Sequence, residues 1–541
     1  MIYYVCNTGS DSSDGKLDSP FRTIQCAANK ANPGDTIWVF PGIYRERVAP
    51  PRGGANGSPI SYRAIIDENG NRPIIRGSCI WQPKINDMPN IWSDVLDLSL
   101  FPDNSHIDGA CPFDILFSVT PYGLNGLPEY NMREPMSPTP DPTISYCLGQ
   151  VFVSEGTDVS EMYTQMPKIE QVMQTEKTWN YNPITRILTI HFPTNNIDSY
   201  SVEITNQRRL FAPHTRGLKY INISGFIFER CGNNYPNQFW MVPQNQQAGA
   251  VGTRSGKYWT IENNIIRYAT GIGIDWGNEG AGAQDLELPF GNALNNGAAA
   301  GSIGHTIINN VISDNGAAGT ASYMCKKFTF TSNTVTRNNN LKFYGKRRWE
   351  SAGLKVHCPT DSVINNNIIF DNYCHGIWCD QGISTGIFDN NTLRGNQGSG
   401  INIEIGKATS GLISGCTFEN NVCGITLVTA GGVTIRKNRF LNSQQADIQT
   451  VLFNRTADKW DSDNVRIYAN EFRNSPIYMS LTPKDVYIPA NRYMNDNEYY
   501  FCGNDMRFVI GKTTCNFMSW KTQWELANSG VDADERSFQI Q

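Results

Sequence analysis

Apolar and polar residues alternate in a series of short segments in the second half of the chain, and each segment begins with Gly. The pattern is clearest from Gly376 to Asp380 (GIWCD) and from Gly400 to Glu404 (GINIE), where the second and fourth residues are mostly apolar. A period of two is typical of a β-strand with one buried face. Both segments end on a carboxylate, although Asp and Glu are depleted in strands.

The template recurs along the chain, and a second series of segments accompanies it. In the second series an Asn, or Cys at position 416, precedes two strand-forming residues, and neighbouring members such as Asn310 and Asn333 lie 23 positions apart. The further copies of the first template are 249–253, 271–275, 353–357 and 424–428, and the second series comprises 264–266, 310–312, 333–335, 367–369, 391–393, 416–418, 438–440 and 470–472.

Two short strands in about 23 residues, with Asn and Gly at the corners, predict an all-β fold: a right-handed parallel β-helix whose coils stack on one another. Buried corner Asn side chains would then stack along the axis and satisfy backbone groups. The alternative is an antiparallel β-sandwich. Its hairpin signals, Asn-Gly and Asp-Gly, are absent between residues 352 and 440.

The repeat fails in one long segment, which divides the chain into three parts. Residues 1–79 are predicted to be an N-terminal cap with the first coil, and residues 211–541 the main β-helix with its C-terminal cap. Amphipathic helices over 20–32 and 517–528 would cover the ends of the solenoid. Residues 80–210 contain strand patterns and a Pro-rich stretch, which indicate an inserted β-rich domain. We expect a lid over a substrate groove, with a stabilising or oligomer-forming module as the alternative.

Composition limits the partners and the compartment. The 541 residues have a net charge of −5 and no long basic run, so nucleic acid is not an expected partner. No apolar run is long enough for a membrane span, and the N-terminus lacks a signal-peptide pattern, so a cytoplasmic location is expected. The 14 cysteines form no Cys-x-x-Cys pair and are expected to be reduced and structural, with Cys379 as a nucleophile the alternative. No cofactor is expected, while a structural Ca²⁺ and homo-oligomers are compatible with the sequence.

The candidate chemistry begins with the two terminal carboxylates of the template. Asp380 and Glu404 occupy the same position in neighbouring coils and are predicted to point outward, side by side on an exposed sheet, about 5 Å apart. Repulsion between two such groups raises the pKa of one of them, which provides an acid and a base in one site. This separation is typical of retaining glycosidases. The alternative is a pair of ordinary solvated carboxylates.

Several other residues are predicted to bind a sugar beside this pair. His357 ends the preceding copy of the template, and Asp275 is assigned to the same column. Trp378 and Lys355 belong to the neighbouring outward column, and a loop before the His357 segment contributes two further candidates. The predicted substrate-binding set is Trp349, Glu350, Lys355, His357, Trp378 and Asp275. For His357 a structural hydrogen bond between coils is the alternative.

With these residues identified, most of the chain resembles the parallel β-helix β-xylosidases of glycoside hydrolase family 120. The resemblance rests on the segments 248–256 (AGAVGTRSG), 271–280 (GIGIDWGNEG), 349–357 (WESAGLKVH), 376–380 (GIWCD) and 401–405 (INIEI). It implies that Asp380 is the nucleophile, that Glu404 is the acid/base and that Glu350 helps to hold the sugar. The chain departs from the family pattern after both carboxylates, so the resemblance does not determine the sugar.

Three functions are compatible with the sequence. The favoured one is a retaining exo-glycosidase that releases β-linked xylose, or a related sugar, from short oligosaccharides. A polysaccharide lyase of the pectate-lyase type is the second, because Lys355 near Asp380 resembles a lyase base, although no tight acidic cluster for Ca²⁺ accompanies it. A glycan-binding β-helix without catalysis is the third.

Overall fold

The chain winds into a right-handed parallel β-helix with three sheet faces and a separate inserted sheet. The predicted fold class is confirmed. The computed structural model describes residues 1–101, 111–118, 145–156, 160–233, 249–278, 301–341, 351–381, 383, 385–452, 464–481, 493–501, 505–527 and 538–540.

Face 1 carries the Gly-initiated segments. Each strand pairs in parallel with the strand of the next coil. Two long strands continue around the corner from face 1 into face 2. The strands of face 1 are Gly249–Gly252, Ile272–Asp275, Ala318–Tyr323, Ala352–His357, His375–Asp380, Ser399–Ser414, Cys423–Arg436, Ala446–Val451, Met479–Leu481 and Phe508–Ile510.

Faces 2 and 3 complete each coil. On face 2, in addition to the two long strands shared with face 1, lie Ile2–Val5, Thr36–Val39, Ile60–Ala64, Ile221–Ser224, Thr260–Glu262, Thr306–Ile308, Thr329–Thr331, Ser362–Asn365, Gly386–Asp389, Arg466–Tyr468 and Tyr493–Asn495. Face 3 consists of Gly42–Tyr44, Pro73–Arg76, Ile227–Cys231, Ile265–Ala269, Val311–Ser313, Thr334–Thr336, Ile368–Phe370, Thr392–Arg394, Thr417–Glu419, Arg439–Leu441, Glu471–Arg473, Glu498–Tyr500 and Phe538–Ile540.

The predicted Asn series lies at the corner between faces 2 and 3 and stacks as expected. The buried amides donate to the next amide oxygen, as from Asn264 to Asn310 (3.1 Å) and from Asn310 to Asn333 (3.0 Å), except that Asn391 donates to Cys416 Sγ (3.8 Å). A second Asn ladder, which the repeat did not reveal, follows face 3. It comprises Asn315, Asn338, Asn372, Asn396 and Asn421. Both ladders satisfy buried backbone groups and fix the register of the coils.

Close packing also explains the Gly of the template. A Cβ at Gly353 would lie 2.8 Å from the carbonyl oxygen of Gly376, and a Cβ at Gly376 would lie 2.7 Å from that of Gly400. Real Cβ contacts are not this short, so these positions exclude side chains. Below them the interior is filled by a continuous apolar core that extends from the first coil to the last.

The ends of the solenoid are closed by helices. Helix α1, Ile24–Lys30, begins after Thr23, whose hydroxyl accepts a hydrogen bond from the Cys26 N–H (3.1 Å). The last helix, Phe517–Ala527, follows the hairpin of Phe508–Ile510 with Thr513–Cys515, and its Trp520 is fully buried. Both helices lie within the segments that the sequence predicts.

The inserted segment forms an eight-stranded, mostly antiparallel sheet with its own apolar core. Its strands are Ser78–Ile80, Ile85–Met88, Ile91–Val95, Val151–Glu155, Glu161–Gln165, Thr178–Asn182, Ile187–His191 and Tyr200–Thr205, accompanied by helix α2 (Ile169–Val172). The short strands Leu116–Ser118 and Ser145–Cys147 pair with each other, and single 3-10 turns lie at Leu98–Leu100, Pro112–Asp114 and Ile197–Ser199. The Pro-rich stretch at 128–142 lies outside the described residues.

Candidate active site

Three neighbouring strands of face 1 place the candidate groups side by side. His357, Asp380 and Glu404 are direct partners in the parallel register of these strands. For Asp380 and Glu404 this is the register that the repeat predicts. Neighbouring parallel strands lie about 4.8 Å apart, so the two carboxylates belong to one local site.

The chain turns immediately after each of these side chains. Cys358, Gln381 and Ile405 all have left-handed backbone conformations, with φ of 46°, 57° and 53°. This conformation is costly for a β-branched residue such as Ile405. The turn places the carboxylates at the edge of face 1, and the Gln381 N–H donates to Asp380 Oδ1 (2.8 Å).

A second column runs beside the first, two residues earlier in each strand. Lys355, Trp378 and Asn402 are direct partners in this column. The Lys355 side chain is 0% exposed, and its Nζ lies 3.2 Å from Asp380 Oδ2 and 3.5 Å from the centroid of the Trp378 ring. The ammonium is therefore fixed between a carboxylate and an aromatic face.

The electrostatics of Asp380 follow from these neighbours. Burial raises the pKa of Asp380, but the Lys355 ammonium and the adjacent His357 imidazole outweigh burial and hold that pKa far below its usual range. Burial and the Lys355 charge lower the pKa of His357 to about 4. Asp380 is thus ionised at neutral pH, and the imidazole 3.4 Å away is neutral.

The site is more enclosed than the sequence suggests. The pattern predicts an exposed outer sheet, but Lys355, His357 and Trp378 are buried, and only 15% of the Asp380 side chain is accessible. Glu404 is partly buried. Strand alternation determines which side chains point away from the coil interior. It does not show whether other segments of the protein cover the outer face of the sheet. The prediction of a solvated face was therefore wrong.

Asp275 lies in a different column from the one predicted. It pairs with Ala321, which pairs with Lys355, so Asp275 belongs to the Lys355 column and lies two strands away from it. The sequence GIGID offers two Gly as the start of the template, and the structure uses Gly273, because a Cβ there would lie 2.6 Å from Gly319 O. The predicted register of this strand was therefore wrong by two residues. A shift of two residues leaves Asp275 on the same side of the strand but moves it into the neighbouring column.

The remaining predicted residues are distributed differently. Trp349 and Glu350 lie outside the described residues. Cys379 is in the hydrophobic core, where burial raises the pKa of its thiol, so the structure supports the structural interpretation of this cysteine rather than the nucleophilic one.

Two aromatic residues of the site were missed by sequence reasoning. Tyr323 is the direct partner of His357, with ring centroids 5.3 Å apart. The ring of His375 lies 5.3 Å from that of Trp378, and its Nδ1 accepts a hydrogen bond from the Ser399 N–H (2.9 Å). Tyr323 follows Gly319 by four positions and so ends a copy of the template, which the spacing of the Asn series could have revealed.

This arrangement provides an ionised carboxylate, a second carboxyl group on the next strand and an aromatic ring in the adjacent column. Such a set of groups is suited to a reaction in which one carboxylate attacks a substrate bond and the other carboxyl group protonates the leaving atom. Within the described ranges, no group of three or more His, Cys, Asp or Glu side chains is placed to hold a metal ion. No helix of the described part of the chain is both long and apolar enough to cross a membrane.

Comparisons with known proteins agree with the fold. The family model described as "Right handed beta helix region" matches residues 248–440 and 382–480. The solved structure "The complex structure of XylC with xylose" has 20% sequence identity and a TM-score of 0.63, and the match covers 95% of this chain and 86% of XylC.

Two other similarities are limited. The GH136 lacto-N-biosidase from Eubacterium ramulus has 13% identity and a TM-score of 0.42 over 93% of this chain and 68% of that one. "Uncharacterized protein YwoF" of Bacillus subtilis (strain 168) is 38% identical over 66 residues, which is 12% of this chain and 14% of that protein.

Proposed function

We propose that the protein is a retaining, exo-acting glycoside hydrolase that releases β-linked xylose, or a related sugar, from short oligosaccharides. The observation that carries the proposal is the in-register pair of Asp380 and Glu404, in which Lys355 and a neutral His357 keep Asp380 ionised. XylC was solved with xylose. We propose xylose for this protein by analogy with that structure.

The reaction proceeds in two displacements at the anomeric carbon. Asp380 Oδ attacks that carbon and forms an ester, while the bond to the leaving oxygen breaks and Glu404 gives that oxygen a proton. Glu404 then accepts a proton from water, the water oxygen attacks the same carbon, and the ester bond to Asp380 breaks. Atoms and charge balance, and Glu404 is protonated again at the end.

The neighbours of the pair have positioning roles in this scheme. Lys355 and His357 hold the Asp380 carboxylate and stabilise its charged form before attack. Trp378 and Asn402 line the adjacent column, where an aromatic ring and an amide suit a sugar ring and its hydroxyls. Trp349 and Glu350 keep their proposed sugar-binding roles through the family resemblance. Asp275 is left out because it lies two strands from Lys355.

We assign the role of a lid, with exo action as its consequence, to the inserted domain at 80–210. Its described contacts with the β-helix lie on the N-terminal side of the site. The Thr270 hydroxyl donates to Leu148 O (2.7 Å), and the Phe152 ring lies 5.7 Å from that of Tyr268. A unit anchored there is placed before the coils of Asp380 and Glu404, where it would close one end of the site.

A panel of nitrophenyl glycosides, with the first product followed by NMR, tests the chemistry. We expect hydrolysis of a β-xyloside with retention, and loss of activity in Asp380→Asn and Glu404→Gln. With a good leaving group, azide should restore turnover to Glu404→Ala, because azide attacks the intermediate without a base. Glu419→Gln, a change on face 3, is the matched control. Inversion, an unsaturated product that absorbs in the ultraviolet, or binding without turnover would contradict the proposal.

The lid is tested by replacing residues 80–205 with a short linker. We expect a folded β-helix that loses activity on short oligosaccharides or accepts a wider range of them. Circular dichroism and thermal unfolding establish that the β-helix is intact. Unchanged kinetics on short oligosaccharides would refute the lid.

A further inference from the structure

The outer surface of face 2 contains a groove with a volume of about 580 Å³. Its floor is formed by Val363, Ile387 and Leu412, which are direct partners on three successive strands. Ile387 is 42% exposed, so the floor is accessible from solvent. Pockets for small molecules have this size and combine an apolar lining with a few polar groups. We call this site the face 2 groove.

One wall of the groove comes from an irregularity in the long strand Ser399–Ser414. The register of this strand with the next one shifts between Lys407 and Gly411, where it has two more residues than its partner. Ser410 and Gly411 belong to this bulge and line the groove. Bulges are over-represented beside functional sites, where they change the shape of an otherwise regular sheet.

One end of the groove is acidic and lies at the corner between faces 1 and 2. The Asp361 N–H donates to Thr385 Oγ1 (2.6 Å), and the Thr385 hydroxyl donates to Asp361 Oδ1. Both residues line the groove, and Asp361 is exposed. Because Thr385 engages Oδ1, the other carboxylate oxygen is placed to accept a hydrogen bond from a ligand.

The other end of the groove is basic. Arg436 lines it, and the Arg436 Nη1 donates to the Tyr468 hydroxyl (3.4 Å). Arg436 makes no ion pair with a described residue, and its buried Nε has no hydrogen-bond partner. Asp389 lies two strands away in the same column, where it accepts a hydrogen bond from the Ser414 hydroxyl between them.

Folding alone does not account for this arginine. A buried donor without an acceptor costs free energy, and an apolar side chain on the same strand would avoid that cost. A guanidinium group binds a carboxylate through two parallel hydrogen bonds. A positive group that lacks a carboxylate partner and lines a cavity is therefore suited to a ligand that brings its own carboxylate.

The two charged ends are too far apart to neutralise each other. The floor residues and Thr434 lie on four successive strands, so Asp361 and Arg436 are separated by about 14 Å along the axis. This distance exceeds the screening length of about 8 Å at physiological ionic strength. The groove is thus complementary to an elongated ligand with one anionic end and uncharged hydroxyl groups toward the other.

The acidic end begins close to the candidate site in the chain. Asp361 follows His357 by four residues, and Thr385 follows Asp380 by five. Elongated molecules with many hydroxyl groups and a single carboxylate include oligosaccharides that carry a uronate. This position beside a site for sugars favours such a ligand over an acidic peptide, and that choice rests on the proposed function.

We propose that the face 2 groove binds a short oligosaccharide that carries one uronate unit. Arg436 binds the uronate carboxylate through its terminal nitrogens. The sugar rings lie on the floor of Val363, Ile387 and Leu412, and Asp361 accepts a hydrogen bond from a hydroxyl group at the other end.

The test is calorimetric titration with a xylotriose that carries one glucuronate, with xylotetraose as the neutral probe of equal length. The titrations use the Asp380→Asn background, which prevents turnover. We expect the acidic probe to bind about tenfold more tightly than xylotetraose, in a salt-sensitive manner, and Arg436→Gln to abolish this preference. Arg436→Lys keeps the charge without the planar fork and should retain part of it.

A second variant tests the shape of the groove. Ile387→Trp fills the floor and leaves Arg436 in place, so it should weaken binding of the acidic probe at least as much as Arg436→Gln does. The matched control is Arg394→Gln, which removes an exposed arginine from face 3 and should not change binding. Circular dichroism establishes that each variant is folded. In the otherwise wild-type protein, Arg436→Gln should hydrolyse a neutral nitrophenyl xyloside as the wild type does.

Four results would overturn the proposal: no binding of the acidic probe, an equal preference for it in Arg436→Gln, undiminished binding in Ile387→Trp, or stronger binding of an acidic tetrapeptide. The binding measurement is independent of turnover. Groove-dependent binding without hydrolysis of any glycoside would refute the proposed function and leave the groove standing. Hydrolysis without groove-dependent binding would refute the groove alone.

Discussion

Two buried ionic clusters in this molecule differ in how completely their carboxylates are paired. The basal cluster, where the inserted sheet meets face 3, comprises Glu203, Glu229, Arg45, Arg76, Arg230 and Arg267. The site cluster comprises Lys355, His357, Asp380 and Glu404.

In the basal cluster the arginines surround the carboxylates. Glu229 is fully buried, with Arg76 at 2.6 Å and Arg267 at 2.8 Å, and burial, which raises its pKa, is outweighed by these cations. In the same way the pKa of Glu203 is lowered to about 2. In the site cluster Asp380 forms an ion pair with the Lys355 ammonium and lies 3.4 Å from the neutral imidazole of His357, and part of the Asp380 side chain is accessible.

This difference in carboxylate pairing separates an ionic cluster that stabilises the fold from one that is suited to catalysis. Planar guanidinium groups pair with carboxylates in bidentate fashion and consume their lone pairs, which holds two elements together. At Asp380, in contrast, Oδ1 accepts a hydrogen bond from the Gln381 N–H and Oδ2 lies 3.2 Å from Lys355 Nζ, while 15% of the side chain stays accessible. The basal cluster therefore anchors the inserted sheet to the β-helix, whereas the partly accessible Asp380 of the site cluster is the proposed nucleophile.

The largest expected effect is on activity at the site cluster. Asp380→Asn should reduce kcat/KM by about 10⁴-fold or more, because the proposed nucleophile is lost. The melting temperature should change little, since the amide keeps the shape of the side chain. Kinetics on a nitrophenyl xyloside and thermal unfolding measure the two quantities. A variant that lost its fold together with its activity would place Asp380 with the structural cluster.

The reverse outcome is expected for the basal cluster. Glu229→Gln should lower the free energy of unfolding by about 3–5 kcal/mol, because Arg76 and Arg267 lose their buried partner. Activity per folded molecule should fall much less than in Asp380→Asn. Denaturant titration of this variant beside Glu419→Gln, on the interior strand Thr417–Glu419 of the same face, measures the effect. Equal stability of the two variants would show that the basal cluster contributes nothing to the fold.

A smaller effect follows from removing the cation of the site. Lys355→Met retains the buried apolar stem but raises the pKa of Asp380, because the ammonium that stabilises the carboxylate is gone. In the proposed mechanism Asp380 must be ionised to attack, so the acid limb of kcat/KM should move to higher pH by about 1–3 units. A purely structural Lys355 would lower activity equally at every pH.

The smallest expected effect concerns Tyr323, one of the two aromatic residues that sequence reasoning missed. Tyr323→Phe preserves the ring contact with His357 and removes only the hydroxyl, so kcat/KM should fall by no more than about tenfold. Tyr323→Ala also removes the ring and should cost more. If the two variants were equally impaired, the hydroxyl rather than the packing would be the contribution of Tyr323.

The repeating elements could be predicted from the sequence, whereas features that depend on contacts between distant segments could not. Strand alternation and Asn spacing predicted the coil, the Asn ladder that includes Asn264, and the pairing of Asp380 with Glu404. Alternation could not show that Lys355 and His357 are covered, because covering depends on chain far away in sequence. The repeat GIGID was ambiguous by two residues, which only the Gly273 contacts resolve. The arginines of the basal cluster come from distant segments, so no local pattern marks them.

The most direct test of the nucleophile is to trap it. The protein is incubated with a 2-deoxy-2-fluoro-β-xyloside of dinitrophenol, whose phenolate leaves as the anomeric carbon bonds to the enzyme, and the digested protein is analysed by mass spectrometry. The account predicts one added fluoroxylosyl group, located on Asp380, together with one equivalent of released phenolate. A label on Glu404 or elsewhere, or turnover with inversion and no label, would contradict it.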